Sequence, residues 1–582
     1  MTAMFRFFKK SGIFYTLGQE IPLPDRISLA DKKSSDSLES GKNRLLCTMA
    51  LFFGAFCVIS VRLCALTVLN APTEELIKPE ESKTYALELK MNRADIVDRN
   101  GVLLATSLPS ADLYVDAEKI KNPETIAAAL AQTLPELEYK SLLKKLKSKK
   151  NFVYIKRGLT PKEQYEVNRL GFPQLNFQSA EMRIYPQGSL VSHIIGTTDV
   201  DNHGIAGIEK TFNARLSDQK EPVRLSLDIG IQDSVRSALI DSITKYQAEG
   251  AAAVLMNAKN GEIISMVSLP DYDPNNLKNA KKSHLFNTAS LGVYEVGSIM
   301  KLFNTAIGLD LNKIKVSDKI DAGKPIIMAK HSIVEPEAKN RRELTIPEIL
   351  IHSSNVGSAK IALAIGAEKQ QEYLRRFGFF EAAHIELPEK GRPLLPVRWR
   401  EVNTATVGYG YGVALTPVHV AAAAAAIVNG GIYNPPSLVS KRASDEIIGQ
   451  RVISQKTSDI MRGMMRLVVT EGSGRKANVP GYEVGGKTGS AQKIVNGKYL
   501  ENTLRTSFIS AFPMDNPQYV LMVMLDAPKG IKETYNLNTA AWNAVPTAEK
   551  IIAAVAPQLG ITPRPYEAKQ AAPYVKALLN MR

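Results

Sequence analysis

Tyr294-Glu295-Val296-Gly297-Ser298-Ile299-Met300-Lys301-Leu302-Phe303 sets a serine and a lysine one helical turn apart. On a helix the two side chains share a face, so the amine can take the hydroxyl proton. Gly297 precedes Ser298 and a mostly apolar run follows from Ile299 to Leu309. The pattern predicts a helix with Ser298 at its N-terminus, where backbone N–H groups favour developing negative charge. The spacing by itself is loose. It recurs at Ser141, Ser217, Ser242, Ser473 and Ser490, where it reads as an ordinary helix or loop pair.

Two downstream stretches single out Ser298. Ser353-Ser354-Asn355 and then Lys487-Thr488-Gly489-Ser490 follow it in order, and Lys-Thr-Gly occurs once in the chain. In isolation the first reads as a helix cap and the second as a turn. As an ordered set, S-x-x-K, S-x-N and K-T-G are far more specific than any one of them.

The remainder of the chain gives this chemistry a setting. At 582 residues, 45% hydrophobic and 23% charged, it suffices for about two to four domains. A formal charge of +15 favours anionic surroundings, and no nucleic-acid motif accompanies it. The cysteines Cys47, Cys57 and Cys64 all lie in one apolar stretch, which excludes a disulfide framework elsewhere. The histidines pair with neither cysteine nor one another at a ligand spacing, so no metal or other cofactor is expected.

Residues 1–44 are polar and basic; Leu45 to Val61 is uncharged, Arg62 interrupts, and Leu63 to Thr73 is uncharged again. About 20 apolar residues cross a bilayer, and an arginine near one end can reach the headgroups. Leu45 to Leu69 is therefore expected to be one transmembrane helix, with the basic tail inside and the rest outside. A cleaved signal peptide would need an unusually long n-region and a small-x-small cleavage site, and neither is convincing here.

Residues 71–222 read as a small α/β module. Met91 to Ala105 suggests two strands around Asn100-Gly101, with Arg93, Asp98 and Arg99 as a structural salt-bridge cluster. Leu142 to Lys150 is basic and mildly amphipathic, the pattern of a solvated helix face. From 223 to 560 a second domain follows. Its expected elements are a helix near Ile229 to Tyr246, strands at Ala252 to Met256 and Ile263 to Val267, and a mainly helical region from Asn287 to Gly378. Thr416-Pro417 should cap a helix that ends at Asn429-Gly430-Gly431, with His419 packed in the core. Strands at Glu483 to Ala491, Thr506 to Phe512 and Tyr519 to Leu525 and a helix from Ala541 to Ala556 complete it, and 561–582 is a proline-containing tail. The class is α+β and multidomain: an antiparallel sheet flanked by helices.

The three motifs resemble those of penicillin-binding proteins and serine β-lactamases. The resemblance to the class B penicillin-binding proteins extends over nearly the whole chain. Arg93 to Gly101 is similar to their R-G-x-I-x-D-R-N-G pattern, with Ala94 replacing a glycine, and Arg183-Ile-Tyr-Pro186 with Gly204, Gly207 and Glu209 is similar to later motifs of the same pedestal module. Lys487-Thr-Gly, Ser353-Ser-Asn-Val-Gly and Thr506-Ser-Phe-Ile-Ser-Ala-Phe-Pro513 resemble the septal, cell-division (FtsI-like) branch rather than the elongation type. Val296, where proline is common, and Thr288, where arginine is usual, depart from the family pattern.

The resemblance implies a peptidoglycan D,D-transpeptidase that acts on stem peptides ending in D-Ala-D-Ala and is acylated by β-lactam antibiotics. It implies Ser298 as nucleophile, Lys301 as general base and Ser353 as proton relay. It implies Asn355, Lys487, Thr488, Gly489 and Ser490 as substrate-binding, with the N–H groups of Ser298 and Ser490 as the oxyanion hole. It also implies an inner-membrane anchor, a periplasmic catalytic domain, and a membrane glycosyltransferase and other divisome proteins as partners. A β-lactamase would need a water-activating Glu-x-x-Leu-Asn element, which is absent between Ser353 and Lys487. A penicillin sensor or a lapsed division scaffold would not need the complete motif set.

Overall fold

The computed structural model describes residues 13–16, 19–22, 32–64, 93–218, 221–328, 331–442, 449–495 and 497–564. The chain divides into two compact units, one ending at Glu88 and the other beginning at Leu89.

In the first unit, Lys32–Cys64 is a single helix. Leu46, Leu51, Phe52, Phe53, Phe56, Val58, Ile59 and Val61 are all exposed on it. Among the described residues no helix is long and apolar enough to cross a membrane. The expected span runs past Cys64, and residues 65–69 lie outside the described residues.

The second unit begins with a sheet in which Ile96–Val97, Leu103–Val115, Val153–Leu159 and Leu175–Ile184 pair antiparallel, with Val223–Arg224 parallel to Ile96–Val97. The Asn100-Gly101 turn joins the first two strands. The expected Arg93, Asp98 and Arg99 cluster does not form. Asp98 Oδ1 is taken up by the backbone of the turn, accepting from the N–H groups of Asn100 and Val102 at 2.8 Å each. Arg99 reaches Glu262 at 3.5 Å. Arg93 and Arg183 instead close on the two oxygens of Glu209, each through Nε at 2.7 Å, with all three side chains buried. The helix Tyr139–Leu146 buries Leu142 and Leu146 against this module's core and leaves Lys144, Lys147, Lys149 and Lys150 in solvent.

The larger part is built on a five-stranded antiparallel sheet in the order Ile263–Leu269, Gly250–Asn257, Tyr519–Asp526, Lys498–Phe512, Gly485–Val495. Alternation along a strand gives the sheet two buried faces. In Gly250–Asn257, Ala251, Ala253 and Leu255 join a core with helices Ile229–Tyr246 and Ala544–Gln558. Ala252, Val254 and Met256 join the opposite core, with Pro417–Val428 and Met300–Asp310. Asp228 caps the first helix by accepting from Gly230 N and Ile231 N, and Thr416 caps Pro417–Val428 by accepting from His419 N. His419 is buried between Thr416 Oγ1 and the carbonyl of Glu381, and burial brings its pKa down to about 4.

The segment expected to be mainly helical is more mixed. Two small sheets interrupt it, Lys319–Asp321 with Glu343–Thr345 and Ile326–Met328 with His331–Ile333. These pieces are too short for a stable helix and carry β-branched isoleucines, which favour extended pairing. Within the sheet, Gly485–Val495 has a single strand neighbour, and its other edge lies beside the turn that carries Ser298.

Candidate active site

Ser298 lies in a single 3-10 turn, Gly297–Ile299, that runs into the helix Met300–Asp310. The turn is held by close backbone packing. Gly297 has φ +56°, and a Cβ there would stand 2.7 Å from Ser490 O; a Cβ on Gly410 would stand 1.9 Å from Gly297 O. A Cβ on Gly489 would meet Val296 O at 2.3 Å. Ser298 is thus wedged between the edge strand and the helix end at Gly410. The preceding strand Tyr294–Glu295 pairs with Ala414–Leu415, and Glu295 accepts from Gly412 N at 2.7 Å and from Tyr499 OH at 3.0 Å.

Ser353 follows the short helix Ile346–Ile351 and precedes Asn355–Ile365. Its φ is +56°, a left-handed conformation that costs a non-glycine residue about 1–3 kcal/mol. Ser354 caps the next helix through Gly357 N at 2.9 Å and donates its hydroxyl to Glu335 Oε1. The same carboxylate oxygen accepts from Val356 N at 2.7 Å.

Helix and edge strand bring two lysines to this turn. Lys301 Nζ donates to Ser353 O at 2.5 Å and Asn355 Oδ1 at 2.7 Å and lies 3.1 Å from Ser353 Oγ. Lys487 Nζ lies 3.0 Å from Ser353 Oγ, 3.2 Å from Thr488 O and 3.3 Å from Thr488 Oγ1. Both lysines are fully buried. Burial, reinforced by the charge of Lys487, holds the Lys301 amine well below the usual lysine range, while Glu335 acts in the opposite direction. Burial brings Lys487 down to about 7.

The expected residues therefore converge on one cleft: Ser298, Lys301, Ser353, Asn355, Lys487, Thr488, Gly489 and Ser490. One expected contact is replaced. Lys301 bonds to Ser353 and Asn355, whereas Ser298 Oγ makes no hydrogen bond among the described residues. The helix proper begins only at Met300, so Lys301 is directed by the tertiary partners across the cleft as well as by its helical spacing from Ser298.

Two contributors carry no motif. Ser473 Oγ lies 2.7 Å from Thr488 Oγ1, and Glu335 underlies the Ser353 turn. Ser473 appeared in the sequence only as one of the recurrent S-x-x-K matches, and nothing local marks Glu335. Ser490 Oγ accepts from Ala540 N at 3.1 Å, so its side chain faces a neighbouring loop while its backbone borders Gly297. Among the described residues no group of His, Cys, Asp and Glu could hold a metal ion.

Comparison with known proteins agrees with this arrangement. Residues 251–552 match the penicillin-binding protein transpeptidase domain, and residues 88–229 match the penicillin-binding protein dimerisation domain. The chain is 34% identical to the probable peptidoglycan D,D-transpeptidase FtsI of Caulobacter vibrioides over 82% of its own length and 83% of that protein. It is 31% identical to the stage V sporulation protein D of Bacillus subtilis over 90% of its length and 87% of that protein. The fold is shared with penicillin-binding protein 3 of Mycobacterium tuberculosis solved with aztreonam, at a TM-score of 0.64 and 24% identity, over 81% of this chain and 97% of that one. With its dimerisation module, its transpeptidase sheet and its relative named FtsI, the chain belongs to the class B penicillin-binding proteins of the FtsI-like kind.

Proposed function

We propose that this protein is a septal peptidoglycan D,D-transpeptidase that cross-links stem peptides ending in D-Ala-D-Ala through an acyl-enzyme on Ser298. The observation that carries this is the convergence of Lys301 and Lys487 on Ser353 Oγ, beside the turn that presents Ser298.

The hydrogen bonds suit a neutral Lys301. Ser353 O and Asn355 Oδ1 only accept, so they take the two amine hydrogens, and the Ser353 hydroxyl can donate to the lone pair while accepting from Lys487. In acylation Lys301 takes the Ser298 proton as Oγ attacks the carbonyl of the penultimate D-alanine. The oxyanion is held by the N–H groups of Ser298 and Ser490. The proton then passes through Ser353 to the leaving D-alanine amine as the peptide bond breaks. An acceptor amine reverses the sequence: it attacks the ester, forms the cross-link and returns the proton to Ser298.

Lys487 and Thr488 hold the terminal carboxylate, Asn355 the peptide amide, and Gly489 leaves room for the backbone. The substrate lies along the free edge of Gly485–Val495 as an added strand. β-Lactams take the same route to a stable ester.

The reading includes an inner-membrane location. Leu45 to Leu69 anchors the chain, supported by the exposed apolar side chains from Leu46 to Val61. Residues 1–44 are cytoplasmic, 71–222 form the pedestal and 223–560 the periplasmic catalytic domain, with 561–582 as a tail. A membrane glycosyltransferase and other divisome proteins supply the glycan strands. The test is labelling of the full-length chain in detergent with fluorescent penicillin, wild type beside Ser298→Ala, followed by a chase. A persistent label absent from the variant supports a transpeptidase; rapid loss of label indicates a β-lactamase, and no label a scaffold.

A further inference from the structure

We propose that Glu335 is a positioning residue for acyl transfer, its carboxylate clamping the turn that carries Ser353 and Asn355 and supplying the negative charge that balances Lys301. This rests on the reading of Ser298 as nucleophile and Lys301 as base.

Glu335 is only 2% exposed. Its Oε1 accepts from both the Ser354 hydroxyl and Val356 N, one residue on either side of Asn355. Its backbone carbonyl is held in turn by Arg341, whose Nε and NH2 lie at 3.3 and 3.2 Å. The other carboxylate oxygen, Oε2, is buried with no hydrogen-bond partner among the described residues. A structural clamp for two donors needs one acceptor oxygen, which an uncharged glutamine would provide. A full carboxylate with a bare buried oxygen is costly unless cations offset it. Lys301 supplies that offset from its helix, its amine and the Glu335 carboxylate acting on each other electrostatically.

Two consequences follow for the reaction. First, the clamp holds Ser353 in its left-handed conformation, with both its carbonyl and its hydroxyl turned to Lys301. Second, when Lys301 takes the Ser298 proton, it becomes a cation in a buried site that already holds Lys487. Glu335 stabilises that cation. It thereby strengthens the base at the step where charge develops, an electrostatic contribution made before any substrate arrives.

The test uses Glu335→Gln in the full-length chain, which keeps an acceptor for Ser354 and Val356 and removes the charge. The carboxylate favours protonated Lys301, so without it the amine stays neutral to lower pH. The acid limb of the acylation profile with fluorescent penicillin should move down by about one pH unit, while the plateau rate falls about 10-fold because the base is weaker. Ser354→Ala separates the two roles: it retains the charge, so its limb stays in place while its plateau falls about fivefold through the loosened clamp. A Glu335→Gln profile superimposed on wild type overturns the proposal while leaving the nucleophile reading intact. If Glu335→Gln does not fold, a Ser354→Ala plateau equal to wild type overturns it. A wild type that takes no label overturns both.

Discussion

Lys301 from the helix Met300–Asp310 and Lys487 from the strand Gly485–Val495 approach the same oxygen, Ser353 Oγ, at 3.1 and 3.0 Å. Two ammonium groups cannot both be comfortable there: like charges in a buried site push one proton off. The hydroxyl between them is the natural conduit, because it can accept from one amine and donate to the other.

The charge on Lys487 should set the alkaline side of the activity profile. Its pKa of about 7 means that the cation proposed to hold the substrate carboxylate is lost as pH rises through neutrality. Acylation is expected to decline above about pH 7, and Lys487→Arg, which stays charged, should abolish that decline while lowering the rate itself. Stopped-flow labelling across pH 5 to 10 reads both.

The same shift has a stability counterpart of definite sign. Lys487 has a folded pKa near 7 against about 10.4 unfolded, so between those values the unfolded chain binds more protons and stability rises with pH. Below about pH 7 the penalty for a buried cation is felt in full. Lys487→Met should therefore melt at a higher temperature than wild type at pH 6, with the gap narrowing by pH 10. Calorimetry at both values checks it.

Ser353 combines strain and function in one residue. Its φ of +56° suits glycine, which adopts such values without cost. Ser353→Gly should lose at least ~100-fold in acylation rate with little net change in thermal stability, because relief of the backbone strain is offset by loss of the hydroxyl that meets Lys301 and Lys487. Retained activity would remove the serine from the relay.

Ser473 should act through Thr488. Removing its hydroxyl loses one hydrogen bond at 2.7 Å, a loss of about 1 kcal/mol. Ser473→Ala is expected to lower the second-order acylation constant about fivefold, with the melting temperature nearly unchanged.

The pedestal offers a test independent of catalysis. Glu209 neutralises two buried arginines, Arg93 and Arg183, and removing such a partner typically costs about 3–5 kcal/mol. Glu209→Ala should therefore destabilise this module strongly, visible as early protease cleavage among residues 93–218.

Much of this architecture was legible because its signals are local. Thr416-Pro417 marked a helix start that the structure places at Pro417. The three motifs of the cleft stood out by order and spacing, and the sheet strands as short apolar runs. What escaped depends on distant partners. Glu335 gains its meaning only when the chain folds it beneath Ser354 and Val356. Asp98 read as an ion-pair partner because the competing claim of its own turn's N–H groups is a matter of backbone geometry. Lys301 read as facing Ser298 because helical spacing says so, yet three oxygens on the opposite wall hold its amine.

The unpaired edge of Gly485–Val495 has a consequence for handling the protein as well as for its chemistry. Where it runs clear of the Ser298 turn, a strand with one strand neighbour can template an extended segment, including the same strand of another copy. Lys493 at its distal end is already engaged with Glu249 and Asp526. With the substrate proposed to lie along that edge, catalysis and aggregation would compete for the same backbone atoms, and concentrated protein should stay monodisperse longest when a peptide or an inhibitor fills that groove.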